Sequence, residues 1–382
     1  MSARSTSLAL SFAVLLAIPS LASNAFAQFA PPRPGQADMT IDAATRAQVV
    51  DTLCAAIEAR YVFPEVAKKV TRAIRAREKA GDFARISSAE AFADTLTGLL
   101  RAVGKDRHFR VGYREEALPR ANQQQAPDSA EARRDAEFWR RRNYGFEKVS
   151  RLPGNVGYLD LRAFNGSREA GVTATSAMTF LANCDALIID LRRNGGGHPD
   201  MIALLLSYLV AGDERIHFND FYERREERTL QYWTLPNLPG PRLTGIPLYV
   251  LTSHRTGSAA EEFAYDIQNL KRGTLVGEVT VGAANPGEFV RLSDHFAAFI
   301  SDGRAVNPVT HTNWEGVGVK PEVATSVDEA LKTAHVSALE GLLGKATDVE
   351  RREGLQAALE DVKSAPVEPL DPRAAGARAP GR

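Results

Sequence analysis

The chain has 382 residues, with 47 Lys plus Arg against 47 Asp plus Glu, 44% hydrophobic and 8% aromatic residues. That balance suits a folded protein of about two domains and leaves no basic block to engage nucleic acid. Its two cysteines, Cys54 and Cys184, are too few for a structural zinc cluster, and their spacing gives no support to a disulfide.

Residues 1–27 read as a secretory signal peptide. Arg4 lies in a short positive region, Leu8 to Ile18 form the apolar centre, and Ala25-Phe26-Ala27 is a cleavage site before Gln28. The expected destination is periplasmic or extracellular. No later segment is long and apolar enough for stable membrane insertion. Residues 28–40 are proline-rich and extended.

From Asp42, a plausible helix cap, Val49, Val50, Leu53, Ile57 and Tyr61 recur at helical spacing. A second helix carries Val66, Val70 and Ile74, and a third Phe92, Leu96 and Leu100. Residues 41–118 therefore read as a small helical domain, with His108 in its charged exit. The Gln-, Ala- and charge-rich stretch 119–150 reads as a linker or surface helix.

Residues 151–335 alternate strand and helix, the pattern of a layered α/β domain. Ala186 to Leu191 is a buried-type strand that ends in Arg192-Arg193-Asn194-Gly195-Gly196-Gly197. Phe218 to Gly240 reads as an excursion that covers something. Pro247 to Thr252 is a second apolar strand, and Ser258 opens the helix that follows its turn. Phe289–Leu292 and His295–Ile300 look like paired strands. Helices are expected over 336–363 and a disordered tail over 364–382.

Two stretches invite chemistry. Ser258 sits at a helix start, near unpaired N–H groups and the positive end of the helix. A serine there can act as a nucleophile beside oxyanion donors, and with Glu261 three residues on it also matches a capping box. Gly195 to Gly197 bring backbone N–H groups into reach of a ligand or simply make a tight turn; the P-loop lysine and the dinucleotide fingerprint are absent. Among His108, His198, His217, His254, His295, His311 and His335, no His-Glu-x-x-His pattern occurs. No metal or other cofactor is expected, and spacing alone does not choose a base for Ser258.

The order of several short motifs resembles the tail-specific, or C-terminal-processing, serine protease family, in the branch of the interphotoreceptor retinoid-binding protein repeats and the tricorn protease core. These motifs are Tyr61-Val62-Phe63-Pro64, Asp106-Arg107-His108-Phe109, Asp190 to Gly197, Ser258-Ala259-Ala260-Glu261, Gly277-Glu278-Val279-Thr280 and Glu315 to Pro321. The likeness runs from Ala43 to Ala334. It implies an α/β spiral-core (ClpP/crotonase-like) protease domain preceded by a small helical bundle, with no PDZ domain evident. It also implies Ser258 as nucleophile, His108 as base, Glu315 as its partner, and the N–H groups of Gly195 or Gly196 and Ala259 as oxyanion donors. Ala283 stands where one group of the family has a basic lysine, and Arg107 where tricorn has a relay serine. The implied activity is an exported serine hydrolase that cleaves peptides or exposed ends of unfolded protein through an acyl-enzyme. The alternative is a non-catalytic carrier of hydrophobic, retinoid- or lipid-like ligands.

Overall fold

The computed structural model describes residues 36–118 and 130–370. The expected signal peptide, most of the extended segment, part of the linker and most of the tail lie outside the described residues.

Helix α1 (Ala43–Arg60) begins where the Asp42 carboxylate accepts the Thr45 amide at 2.8 Å. Pro64 opens α2 (Pro64–Lys79), where its missing N–H is not needed. Ser88 caps α3 (Ala89–Gly104), which closes on Lys105 in the left-handed region. The chain leaves this bundle as β1 (Arg110–Tyr113).

After α4 (Ala130–Arg141), the chain forms β2 (Phe146–Leu152), β3 (Val156–Leu161), α5 (Ser167–Leu181), β4 (Ala186–Asp190) and α6 (Pro199–Leu209). The hairpin β5 (His217–Glu223) and β6 (Arg228–Trp233) leads to β7 (Leu248–Thr252), α7 (Ala259–Asn269) and β8 (Thr274–Gly277). Strands β9 (Glu288–Arg291), β10 (Phe296–Ile300), β11 (Gly303–Val306) and β12 (Val323–Ala324) precede α8 (Ala330–Lys345) and α9 (Val349–Ser364).

The central sheet has the order β12-β8-β7-β4-β3-β2, parallel throughout except for β2. Alternation along β4 assigns its two faces. Leu187 and Ile189 pack with residues of α5, α6 and α7, whereas Ala186 and Ile188 pack with Ala334, Leu339 and Leu355 of α8 and α9. A sheet covered on both faces calls for mostly apolar strands, and β3 and β4 are buried along their whole length, apolar except for Asp160 and Asp190.

The expected ClpP/crotonase-like spiral core is not what forms. Strands β3, β4, β7 and β8 follow one another as neighbours in one open sheet. β2 and β12 flank them at the edges, and the other six strands make two separate three-stranded antiparallel sheets, β1-β10-β9 and β11-β5-β6. The architecture is mixed β-sheets plus helices. The supposed excursion after Phe218 is largely the β5–β6 hairpin; a register shift between His217 and Asn219 interrupts the alternation that would mark it in sequence.

The β1–β10 pairing, with Arg110 opposite Phe299 and Tyr113 opposite Phe296, makes one core from distant segments. Phe296, Ala298 and Ile300 are buried with Leu53, Ile57, Phe92 and Phe109 of the bundle. Cys54 and Cys184 are both free and buried, in different cores. Among the described residues, no helix is long and apolar enough to cross a membrane.

Candidate active site

Parallel neighbours β4 and β7 end side by side, so the loops after them share one edge of the sheet. Leu191 donates to the Leu251 carbonyl at 3.0 Å, and Gly257 to that of Asn194 at 3.1 Å. Asn194 is fully buried and organises the glycine loop. Its Nδ2 donates to the Leu161 carbonyl at 2.9 Å, and its Oδ1 accepts the Gly196 N–H at 2.9 Å. Gly196 has φ +114°, and a Cβ there would stand 2.7 Å from the Ser258 Cβ. Only glycine serves both demands.

Ser258 itself has φ 53° and ψ −124°. A non-glycine residue in that region carries strain of about 1–3 kcal/mol. Ser258 and Glu261 are arranged as the expected capping box: Ser258 N–H donates to Glu261 Oε2 at 2.9 Å, and Glu261 N–H donates to the Ser258 carbonyl at 2.8 Å. Among the described residues, the N–H groups of Gly195 and Ala259 have no acceptor, whereas that of Gly196 is held by Asn194.

Two carboxylates grip four successive N–H groups of the loop after β8. Glu261 accepts Gly282 N at 2.6 Å and Ala283 N at 2.9 Å, together with the Thr280 hydroxyl. Glu315 Oε2 accepts Ala284 N at 2.7 Å and Asn285 N at 3.1 Å. Glu315 Oε1 accepts the Arg107 N–H at 3.0 Å. A continuous hydrogen-bonded path thus joins the turn of Ser258 to the segment of His108. Ala283 is buried in this path, so its methyl closes the lysine position.

His108 stacks on Phe299, ring centroids 5.4 Å apart, and its Nδ1 is buried without a partner. Asp106 Oδ1 accepts the His108 N–H at 2.8 Å. One ligand-type atom each from Asp106, His108 and Glu315 lie within 4.8 Å of one another. Burial holds His108 below the usual histidine range, helped by Arg101 and opposed by Asp106. Burial and then the Asp106 charge push Glu315 up to about 7, against three backbone N–H bonds. Glu315 thus reaches the histidine segment through the Arg107 N–H, at the position where tricorn has a serine.

His108, Glu315 and the Ser258–Ala259 turn lie on three segments linked through the loop 280–285, and Gly195 and Gly196 form the glycine turn packed against Ser258. Sequence reasoning gave no role to Asn194, Glu261 as a strut, or Asp106. The spacing Asp-x-His was the available signal for Asp106, because an Asp side chain readily caps an N–H two residues on.

The class defined by this fold and site is an α/β protein with a serine at a positive-φ strand–helix turn. A model described as peptidase family S41 matches residues 155–325, and one described as the N-terminal domain of peptidase S41 in eukaryotic IRBP matches residues 41–138. The chain belongs to the S41 family of tail-specific, carboxyl-terminal-processing peptidases.

It is 28% identical over 188 residues to carboxyl-terminal-processing peptidase 2, chloroplastic, of Arabidopsis thaliana, covering 46% of this chain and 34% of that one. It is also 28% identical over 142 residues to the tail-specific protease of Haemophilus influenzae, covering 36% and 18%. The chain thus spans about a third or less of the length of these relatives. Among solved structures it is similar to a peptidase candidate from Parabacteroides merdae, with a TM-score of 0.50, 18% identity, and coverage of 80% and 98%. That likeness supports the fold, and it agrees with mixed sheets plus helices rather than a spiral core.

Proposed function

We propose that the protein is an exported serine peptidase that cleaves peptides or exposed chain ends through an acyl-enzyme. The α/β region 151–335 carries the nucleophile, and the helical region 41–118 supplies the base. The observation that carries this reading is Ser258 at a positive-φ strand–helix turn, beside the N–H groups of Gly195 and Ala259, which have no acceptor among the described residues.

In this mechanism His108, neutral because burial disfavours its charge, takes the proton as Ser258 attacks the carbonyl. The N–H groups of Ala259 and Gly195 stabilise the oxyanion; Gly196, already bonded to Asn194, supports the loop instead. Glu315 and Asp106 favour the imidazolium as it forms. Water then releases the acyl group. Val281, exposed, lies against Gly257 beside the turn and offers an apolar surface to substrate side chains.

Carriage of a hydrophobic ligand is the second reading, favoured by the match of residues 41–138 to a domain of eukaryotic IRBP. A fluorophosphonate probe separates the two. Labelling mapped to Ser258 and lost in His108→Ala supports the peptidase; absence of labelling together with saturable binding of retinol supports the carrier. Ser258→Ala should abolish hydrolysis and change stability by no more than about 1–2 kcal/mol, the scale of a lost cap.

A further inference from the structure

We propose that Asp106, His108 and Glu315 bind one divalent transition ion of the zinc type, which reversibly shuts off the serine site. The regulatory part rests on the peptidase reading; the binding part does not.

The donors are an imidazole and two carboxylates, a set that suits zinc, whereas an oxygen-only set suits calcium or magnesium. One ligand atom from each lies within 4.8 Å of the other two. Ligands at about 2.0–2.2 Å from one tetrahedral ion stand somewhat closer together, so small side-chain rotations complete the site. Independent of this clustering, two buried atoms point to a missing partner. Asp106 is 1% exposed, with the Tyr61 phenol facing its carboxylate but no well-formed hydrogen bond to Oδ2, and the buried Nδ1 of His108 has no partner either. Buried polar atoms in folded proteins are rarely left so.

The cluster is also pre-arranged. Asp106 Oδ1 is fixed by the His108 N–H, and Glu315 by three backbone N–H groups. Those bonds occupy neither Asp106 Oδ2 nor all the lone pairs of the Glu315 oxygens. The set supplies three protein ligands and leaves a fourth position open to water. An ion here takes the imidazole lone pair, so His108 no longer accepts the Ser258 proton. Removing the ion restores it.

The test is a Co2+ titration of the purified chain, read by the visible d–d absorption of low-coordinate cobalt and by displacement with Zn2+. A band at one equivalent that persists in Ser258→Ala supports the proposal, provided affinity weakens about 10–100-fold or more in each of Asp106→Asn and Glu315→Gln that circular dichroism shows to be folded. One folded variant suffices for the comparison. The partly exposed pairs His217–Asp220 and His254–Glu278 are the adventitious rivals. A band lost in His217→Ala or His254→Ala, retained in the ligand variants, or never formed overturns the site. Zn2+ should also slow fluorophosphonate labelling of Ser258, with recovery after chelation; binding with undiminished labelling overturns the regulation. A ligand-dependent cobalt band in protein whose Ser258 never labels upholds the site and sinks only the peptidase reading.

Discussion

Glu261 and Glu262 are neighbours in sequence, yet the first turn of α7 sends them into different regions. Glu261 enters the loop after β8 and meets four donors: Ser258 N, Gly282 N, Ala283 N and the Thr280 hydroxyl. Burial raises its proton affinity, and all four donors oppose that rise. Glu262 enters the core under the β5–β6 hairpin, where Asn219 Nδ2 at 2.8 Å is its only donor among the described residues. Burial there pushes it up to about 8, and Asp266 beside it is raised further by burial and by the Glu262 charge. Both carboxyls are almost fully buried. The number of N–H and O–H groups aimed at each, rather than depth, decides which can carry charge.

The largest expected effect comes from breaking the donor-rich side. Glu261→Ala strips the acceptor from three backbone N–H groups and a hydroxyl. At about 1–3 kcal/mol for each buried group left unsatisfied, urea unfolding should show a loss of at least about 3 kcal/mol, and Ser258 labelling should vanish. A loss below about 1 kcal/mol would mean that water replaces the carboxylate and that the comparison overstates the strut. Gly196→Ala comes next. Its methyl meets Ser258 Cβ at 2.7 Å in a positive-φ backbone, so labelling should fall sharply for a stability cost of about 1–3 kcal/mol. Wild-type labelling in that variant would show that the glycine loop yields without disturbing the serine.

These contrasts also mark where the sequence was readable. Strands β4 and β7, the glycine turn and Ser258 were legible because each is encoded within a few residues: an apolar run, then glycines or a helix start. The open sheet order was not, because apolar runs do not say which neighbour they pair with. The link from Arg107 to Glu315 spans 208 residues and depends on the pairing of β1 with β10; the motifs named His108 and Glu315 by resemblance without showing how they connect. The capping box read from Ser258 and Glu261 is present, but the residue types alone gave no sign of the positive φ at which Ser258 is held. Glu261 and Glu262 themselves look alike in sequence, and only the folded donors distinguish them.

The smallest effect is the most selective test of that distinction. Glu262 has a folded pKa of about 8 against an ordinary value of 4.5, so the folded state binds its proton more tightly than the unfolded chain does. Between those values, folding takes up a proton, and stability must fall as pH rises. The contribution is fully present below about 4.5 and is lost as pH passes through about 8, with Asp266 adding to the same slope because its shift has the same sign. Glu262→Gln keeps an oxygen for Asn219 and removes the titration. Urea midpoints measured from pH 5 to 9 should therefore decline in the wild type and decline less in the variant. Equal slopes would place the wild-type proton on Asp266 or would mean that neither group holds one, and the contrast between the two faces of α7 would then rest on Glu261 alone.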